Sequence, residues 1–378
     1  MHDKTELWTK LVREELLECD ADIAAVHLQG LGASEKPKEF AERIHKSLIN
    51  EDVESKYQAS IAVIDLEKTG LGAVYLTRSV NDARWTNPTD NKVHQLDGHK
   101  LELGKCPFVV VSELNVDKEA KEDNSQPCAY TVSMFDLAEK LNLCFVNLNL
   151  YSRRGVLVSS NGPKPETEYL IFQTKDLFFM IPFTCSVTST TAYSGAAHLF
   201  GGAFNVQLDE DTFLKETCQT QHSQLESHAD ENGDGCGMDI IIEDDAGVLR
   251  RWASIADSRF DFRHNHDWLF GLARGRLVKK YDVELRSSLK NRAFERPFAF
   301  APSRYYGETE RSRDTFLRSR CPAWADRIVY NDKFLHAATD DSLCSSSSAY
   351  KLLGENTNIG VCKPVVLHSQ LSLRRSWK

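Results

Sequence analysis

The chain has 378 residues, 41% of them hydrophobic and 27% charged, a globular composition that excludes collagen, coiled coil and global disorder. Its 46 Lys and Arg stand against 55 Asp and Glu, and the net charge of −9 gives the whole chain no pull toward nucleic acid. No apolar run reaches the roughly 18 residues of a membrane span, and MHDKTELWTK lacks the apolar stretch of a signal peptide.

Trp8, Leu11, Val12 and Leu16 recur at helical spacing, and Ile23 to Leu28 follows as a buried-type strand. Ser34 is placed to cap a second helix carrying Phe40, Ile44 and Leu48. Short β-rich runs come next: SIAVIDL, GAVYL, PFVVVSEL, CFVNLNLY, EYLIF and FFMIPF. No Pro- or Ser-rich linker divides the chain and no solenoid repeat is present, so one domain over residues 1–378 is expected, an α/β layered sandwich. Charge is uneven. Residues 209–249 carry 1 basic and 12 acidic side chains and read as an acidic insertion or loop, whereas residues 250–330 carry 18 basic and 10 acidic ones. A solvated face or an internal acid–base match is the commoner meaning of such a contrast, with an anionic ligand as the alternative.

Several motifs fail on inspection. The ten cysteines never form C-x-x-C, so no zinc ribbon or thioredoxin site is written; free thiols in a reducing, cytoplasmic setting are expected, and RSWK offers no prenylation cysteine. Asp230 to Gly235 opens like a calcium loop, but the twelfth position is Ile241 where a bidentate carboxylate is required. Cys321 and Arg327 have the C-x5-R spacing of thiol phosphatases, yet Pro322 lacks an N–H, Trp324 is bulky, Asp326 repels phosphate, and the Ile328-Val-Tyr330 that follows reads as strand.

Arg320-Cys-Pro-Ala-Trp-Ala-Asp-Arg-Ile328 resembles the Pro-Ala-Trp-Cys-Asp-Arg-Ile signature of the type I inositol polyphosphate 5-phosphatases. Other stretches fall in the order of that family: His27-Leu-Gln29, Ser152-Arg-Arg-Gly155, Tyr193-Ser-Gly195 with His198, Ala203-Phe-Asn205, Phe300-Ala-Pro-Ser303 and Lys363-Pro-Val365. The resemblance implies the four-layer αββα sandwich of DNase I-like nucleases and phosphatases, here lacking the first strand and a helix–strand unit before residue 203. It also implies magnesium-dependent hydrolysis of a 5-phosphate.

The positions that would carry that chemistry depart from the family pattern. Gly30 stands where the family has its metal-binding Glu, and Ala203 where an Asp orients the attacking water. Val361 and Cys362 replace the Asp–His general base, and Met180-Ile-Pro182 replaces Asn-x-His. A positioned base contributes about 10²- to 10⁴-fold and one electrostatic contact about 3 kcal/mol, so two such losses bring turnover near zero. The resemblance leaves Asn205, Asp326, Arg327, Lys363, Arg153, Arg154, Tyr193 and His198 as phosphate-binding candidates, since Arg and Lys hold phosphate without metal. The leading expectation is a pseudophosphatase with no cofactor, no nucleic-acid partner and no stable membrane anchor, which binds an inositol phosphate or phosphoinositide head group. The alternative is an active magnesium enzyme that recruits Asp209 or Glu210 as ligands.

Overall fold

The structure is a computed structural model that describes residues 2–31, 36–67, 69–80, 83–86, 92–104, 110–111, 129–137, 141–150, 195–220, 224–229, 236–243, 246–256, 259–262, 266–272, 274–289, 293–307, 315–339, 349–354 and 360–372. In chain order the first elements are α1 (His2–Glu18), β1 (Ile23–Leu28), α2 (Pro37–Leu48), α3 (Glu51–Lys56), β2 (Ala59–Asp65) and β3 (Gly72–Thr77). Next come β4 (Ala83–Thr86), β5 (Val93–Gln95), β6 (Gly98–Gly104), β7 (Val110–Val111), β8 (Ala129–Leu137), β9 (Leu141–Asn149) and β10 (Ala197–Ala203). Then α4 (Glu210–Thr220) leads into β11 (Gln224–Ala229), β12 (Cys236–Glu243), β13 (Leu249–Ala256) and β14 (Arg259–Phe262). The last are α5 (Glu284–Leu289), β15 (Phe294–Glu295), β16 (Asp326–Tyr330), α6 (Asp332–Ala337), β17 (Tyr350–Leu352) and β18 (Val365–Leu367).

Two mixed sheets form the centre. The first has the order β1-β3-β2-β6, antiparallel except for the β2–β6 pair. The second runs β15-β16-β10-β9-β8-β4-β5, with β7 also on β8, and only β9–β10 is parallel. Side-chain alternation explains their stacking. Ile61, Ala73 and Tyr75 of the first sheet meet Phe135, Leu143 and Phe145 of the second in one core. Their neighbours Ala62, Val74 and Leu76 face the other way, under Trp8, Val12 and Leu16 of α1 and Ile44 and Leu48 of α2. On the far side Cys144, Val146 and Leu148 pack with Leu285 and Leu289 of α5. The layers are helix, sheet, sheet, helix: the expected α/β sandwich.

Two readings are amended and one is met. Pro37 rather than Ser34 begins α2; the cap position is Lys36, with no side-chain cap, and Ser34 lies outside the described residues. Between His198 and Ala203 the chain is one uninterrupted strand, with no helix–strand unit between them, as expected. The acidic stretch is not loop throughout, because α4 and a four-stranded antiparallel meander, β11 to β14, begin within it. Ile240, Ala253, Ile255, Phe260 and Phe262 bury one face of that meander against Phe270, Phe316 and Trp324. Its exposed acids had masked the period-2 pattern.

Candidate functional site

The ends of four strands converge at one edge of the sandwich. Ala203 closes β10 and is paired with Asn149 at the end of β9 and with Asp326 at the start of β16. Asn147 of β9 donates its amide to the carbonyls of Leu28 (3.3 Å) and Gly72 (2.8 Å), and its own carbonyl accepts from Gln29 Nε2 at 2.8 Å. The turn after β1, with Gly30, is thereby tied to β9, the parallel neighbour of β10. On the other flank Arg304 bridges both Ala323 and Cys362, Tyr306 N–H donates to the Val361 carbonyl, and Lys363 N–H donates to the Ser303 carbonyl. Backbone pairing thus brings Ala203, Asn205, Asp326, Val361, Cys362 and Lys363 to one place.

At its centre is a residue that the sequence reading passed over. Arg304 donates from Nε to Asp326 Oδ2 (2.9 Å), from Nη2 to Asp326 Oδ1 (2.7 Å) and from Nη1 to Asn205 Oδ1 (2.5 Å). Ser303 Oγ adds a bond to Asp326 Oδ2 at 3.0 Å and accepts from the Asp326 N–H at the same distance. Burial opposes the charge on Arg304, but the carboxylate of Asp326, with Cys362 adding to it, outweighs burial and holds the guanidinium proton more tightly than usual. Asn205 sits at φ +53°, a backbone region Asn tolerates, and its amide donates to Asn149 Oδ1 (3.2 Å) and to the Leu150 carbonyl (2.5 Å). The only sequence signal was an Arg directly after Phe300-Ala-Pro-Ser303; nothing local links it to Asp326.

The other expected phosphate ligands divide. Lys363 is buried beside the cluster with Nζ 4.1 Å from the Tyr306 ring centroid. Arg327 points away: it is 1% exposed, donates to Asp282 (2.9 Å) and forks onto Glu295, bonds that commit it to the core rather than to a ligand. His198 lies at the opposite end of β10, five residues or roughly 16 Å from Ala203 at strand spacing. There it contacts the Ala196 carbonyl and Asn331 at 3.0 Å each, and burial lowers its pKa to about 4. These contacts take Arg327 and His198 out of the cluster. Arg153, Arg154, Tyr193 and Met180 to Pro182 lie outside the described residues, as does the turn Asp230 to Gly235.

Magnesium would take hard oxygen ligands. Gly30 offers none, and nothing lies within 4 Å of where its Cβ would be. Ala203 is a fully buried methyl, both oxygens of Asp326 accept from protein donors, and the oxygen of Asn205 faces a cation. No three His, Cys, Asp or Glu side chains group to hold a metal among the described residues. Asp209 is an N-cap, its oxygens accepting from Thr212 N–H (3.3 Å) and Thr212 Oγ1 (2.8 Å). Among the described residues, these side chains do not fit the ion. Cys321 is no nucleophile either: burial first, then the neighbouring Glu210, push its thiol well above the ordinary range.

No protein-family model matches the chain. Human inositol polyphosphate-5-phosphatase A is 26% identical over 166 residues, 44% of this chain and 39% of its own length. The probable type I inositol 1,4,5-trisphosphate 5-phosphatase of Caenorhabditis elegans is 23% identical across 95% of this chain and 93% of its own. In sequence the chain is similar to inositol polyphosphate 5-phosphatases. The match to the human relative therefore spans about two-fifths of that protein's length. Among solved structures, the 5-phosphatase domain of a synaptojanin, in complex with inositol (1,4)-bisphosphate and calcium, is 14% identical with a TM-score of 0.44. That match covers 91% of this chain and 73% of that one. A Cimex nitrophorin gives 12% and 0.42 over 92% and 86%.

Proposed function

We propose that this member of the 5-phosphatase group binds an inositol phosphate or phosphoinositide head group without hydrolysing it. The observation that carries the reading is the Arg304 guanidinium, forked onto Asp326 and bonded to Asn205 at the strand ends where Ala203, Val361 and Cys362 stand. Hydrolysis needs an activated water, a base that accepts its proton and charge stabilisation for the leaving oxygen. A methyl group, a valine and a thiol supply no positioned base, and the cation is already balanced by a carboxylate. Binding needs less. The remaining N–H groups of Arg304 and the ammonium of Lys363 are donors for a phosphate oxygen, and neither requires a metal.

The test measures phosphate release from inositol 1,4,5-trisphosphate with and without magnesium, beside calorimetric titration of the same ligand. The expected result is a binding isotherm without release, weakened in Lys363→Ala. Magnesium-dependent release above the buffer rate overturns the reading, and absence of any isotherm removes its binding half.

A further inference from the structure

After β14 the chain winds through a single π-helical turn, Trp268–Leu272, and a turn closed by Arg274 N–H on the Gly271 carbonyl (2.8 Å) and Val278 N–H on the Gly275 carbonyl (3.1 Å). A 3-10 turn, Lys279–Tyr281, follows. This winding leaves Trp268 and Leu277 each 49% exposed and Val283 46% exposed. The same stretch is cationic. Residues 274–286 hold five basic side chains and two acidic ones in a chain whose net charge is −9. Arg276 is exposed and has no ion pair among the described residues.

Its seat is closely packed. Gly275, at φ +65°, lies so near the loop beneath that a Cβ there would stand 2.6 Å from the Trp324 ring and 3.1 Å from Pro302. Pro302 and Trp324 adjoin Ser303–Arg304 and Ala325–Asp326 in the chain, so the turn that carries Arg276 and Leu277 is seated on the loops that bear the candidate site. An indole and an aliphatic side chain at the head-group level, with arginine reaching acidic head groups, is the chemistry of an interfacial contact. The net negative charge of the whole chain makes such a contact local and orienting rather than general.

We propose that the 268–283 winding is a reversible docking surface for an anionic lipid bilayer, with Trp268 and Leu277 entering the head-group boundary and Arg276 pairing with acidic lipid. The surface does not depend on ligand binding at Arg304. It is tested by sedimenting the full chain with phosphatidylcholine vesicles, plain or carrying about 30% phosphatidylserine. Neither vesicle contains an inositol lipid, so failure of the head-group reading leaves this result intact.

The expected outcome is sedimentation with the anionic vesicles only, weakened roughly tenfold or more by Arg276→Glu combined with Leu277→Ser. Leu249→Ser, at the 58% exposed end of the β12–β13 hairpin, should leave it unchanged. All three substitutions are at exposed side chains, and a thermal melt checks that each variant is folded. No sedimentation with anionic vesicles, equal sedimentation with plain ones, full retention by the double variant, or equal loss in Leu249→Ser overturns the proposal.

Discussion

Arg327 and Arg304 make the same kind of fork in two different settings. Arg327, on β16, is 1% exposed and lies between Asp282 and Glu295, with Tyr350 donating to Glu295 Oε1 at 3.1 Å and the Phe298 ring 4.6 Å from its guanidinium carbon. Arg304, on the preceding loop, meets one carboxylate and one amide, and its side chain is 16% exposed. Asp326 and Arg327 are adjacent on a strand, so their side chains leave opposite faces, and one strand serves both groups. The first group is a fold anchor whose two anions need the cation. The second lies at the strand ends that carry Ala203, Asn205 and Asp326, and there the cation is balanced from within.

The contrast is broken most severely at Arg327. Arg327→Met leaves two buried carboxylates unpaired and is expected to cost about 3–5 kcal/mol, read by denaturant unfolding. Arg304→Met leaves a single carboxylate that keeps Ser303 and some solvent, for a smaller loss of about 2 kcal/mol. The same Arg304→Met protein sharpens the functional half of the comparison. Freeing Asp326 and Asn205 should not start magnesium-dependent phosphate release, because Gly30 and Ala203 still supply no carboxylate. If release appears, Arg304 alone was silencing the site.

Acid separates the frame from the cluster. Burial lowers the pKa of His27 to about 4, partly opposed by its bond to the Gly201 carbonyl, and lowers that of His198 to the same range. Both rings are neutral in the folded protein and bind a proton more readily once unfolded, where the ordinary value is about 6.5. Their contribution is therefore present above about pH 6.5 and is lost as pH falls toward about 4, at about 1.4 kcal/mol per pH unit for each ring. Melting temperature followed from pH 7 to 5 should drop, and His198→Asn should flatten the slope by one proton. An unchanged slope would mean that ring is not neutral in the fold.

Much of the frame was legible because it follows local pattern. Short apolar, β-rich runs located Ile23–Leu28, the core of β2 and β3, and most of β9, since strands packed on both faces need apolar residues along their whole length. Motif order also named Ala203, Asn205, Asp326 and Lys363, which backbone pairing sets on strand ends and loops that share one edge. What stayed hidden is what depends on contacts between distant residues. Arg304 and Asp326 are 22 positions apart, and the one signal for their pairing is geometric. Arg327 was misplaced for the same reason: a motif names the residue, but alternation along β16 turns its side chain inward. The meander escaped notice because acids such as the exposed Glu226 and Glu243 interrupt its apolar pattern, while Ile240, Ile255 and Phe262 supply its core.

The smallest effect tests whether the vacant side-chain positions are structurally tolerant. Gly30 and Gly202 both have positive φ and both adjoin the cluster, at +75° and +145°. A Cβ on Gly202 would collide with the Leu148 carbonyl oxygen, whereas one on Gly30 meets nothing within 4 Å. Gly30→Ala should therefore cost only the left-handed backbone strain, about 1 kcal/mol in an unfolding titration, and Gly202→Ala distinctly more. Gly30→Glu should cost no more than Gly30→Ala, because its carboxylate enters open space. A large loss for Gly30→Glu would mean that the turn after β1 is packed shut, leaving no room at this position for a carboxylate side chain.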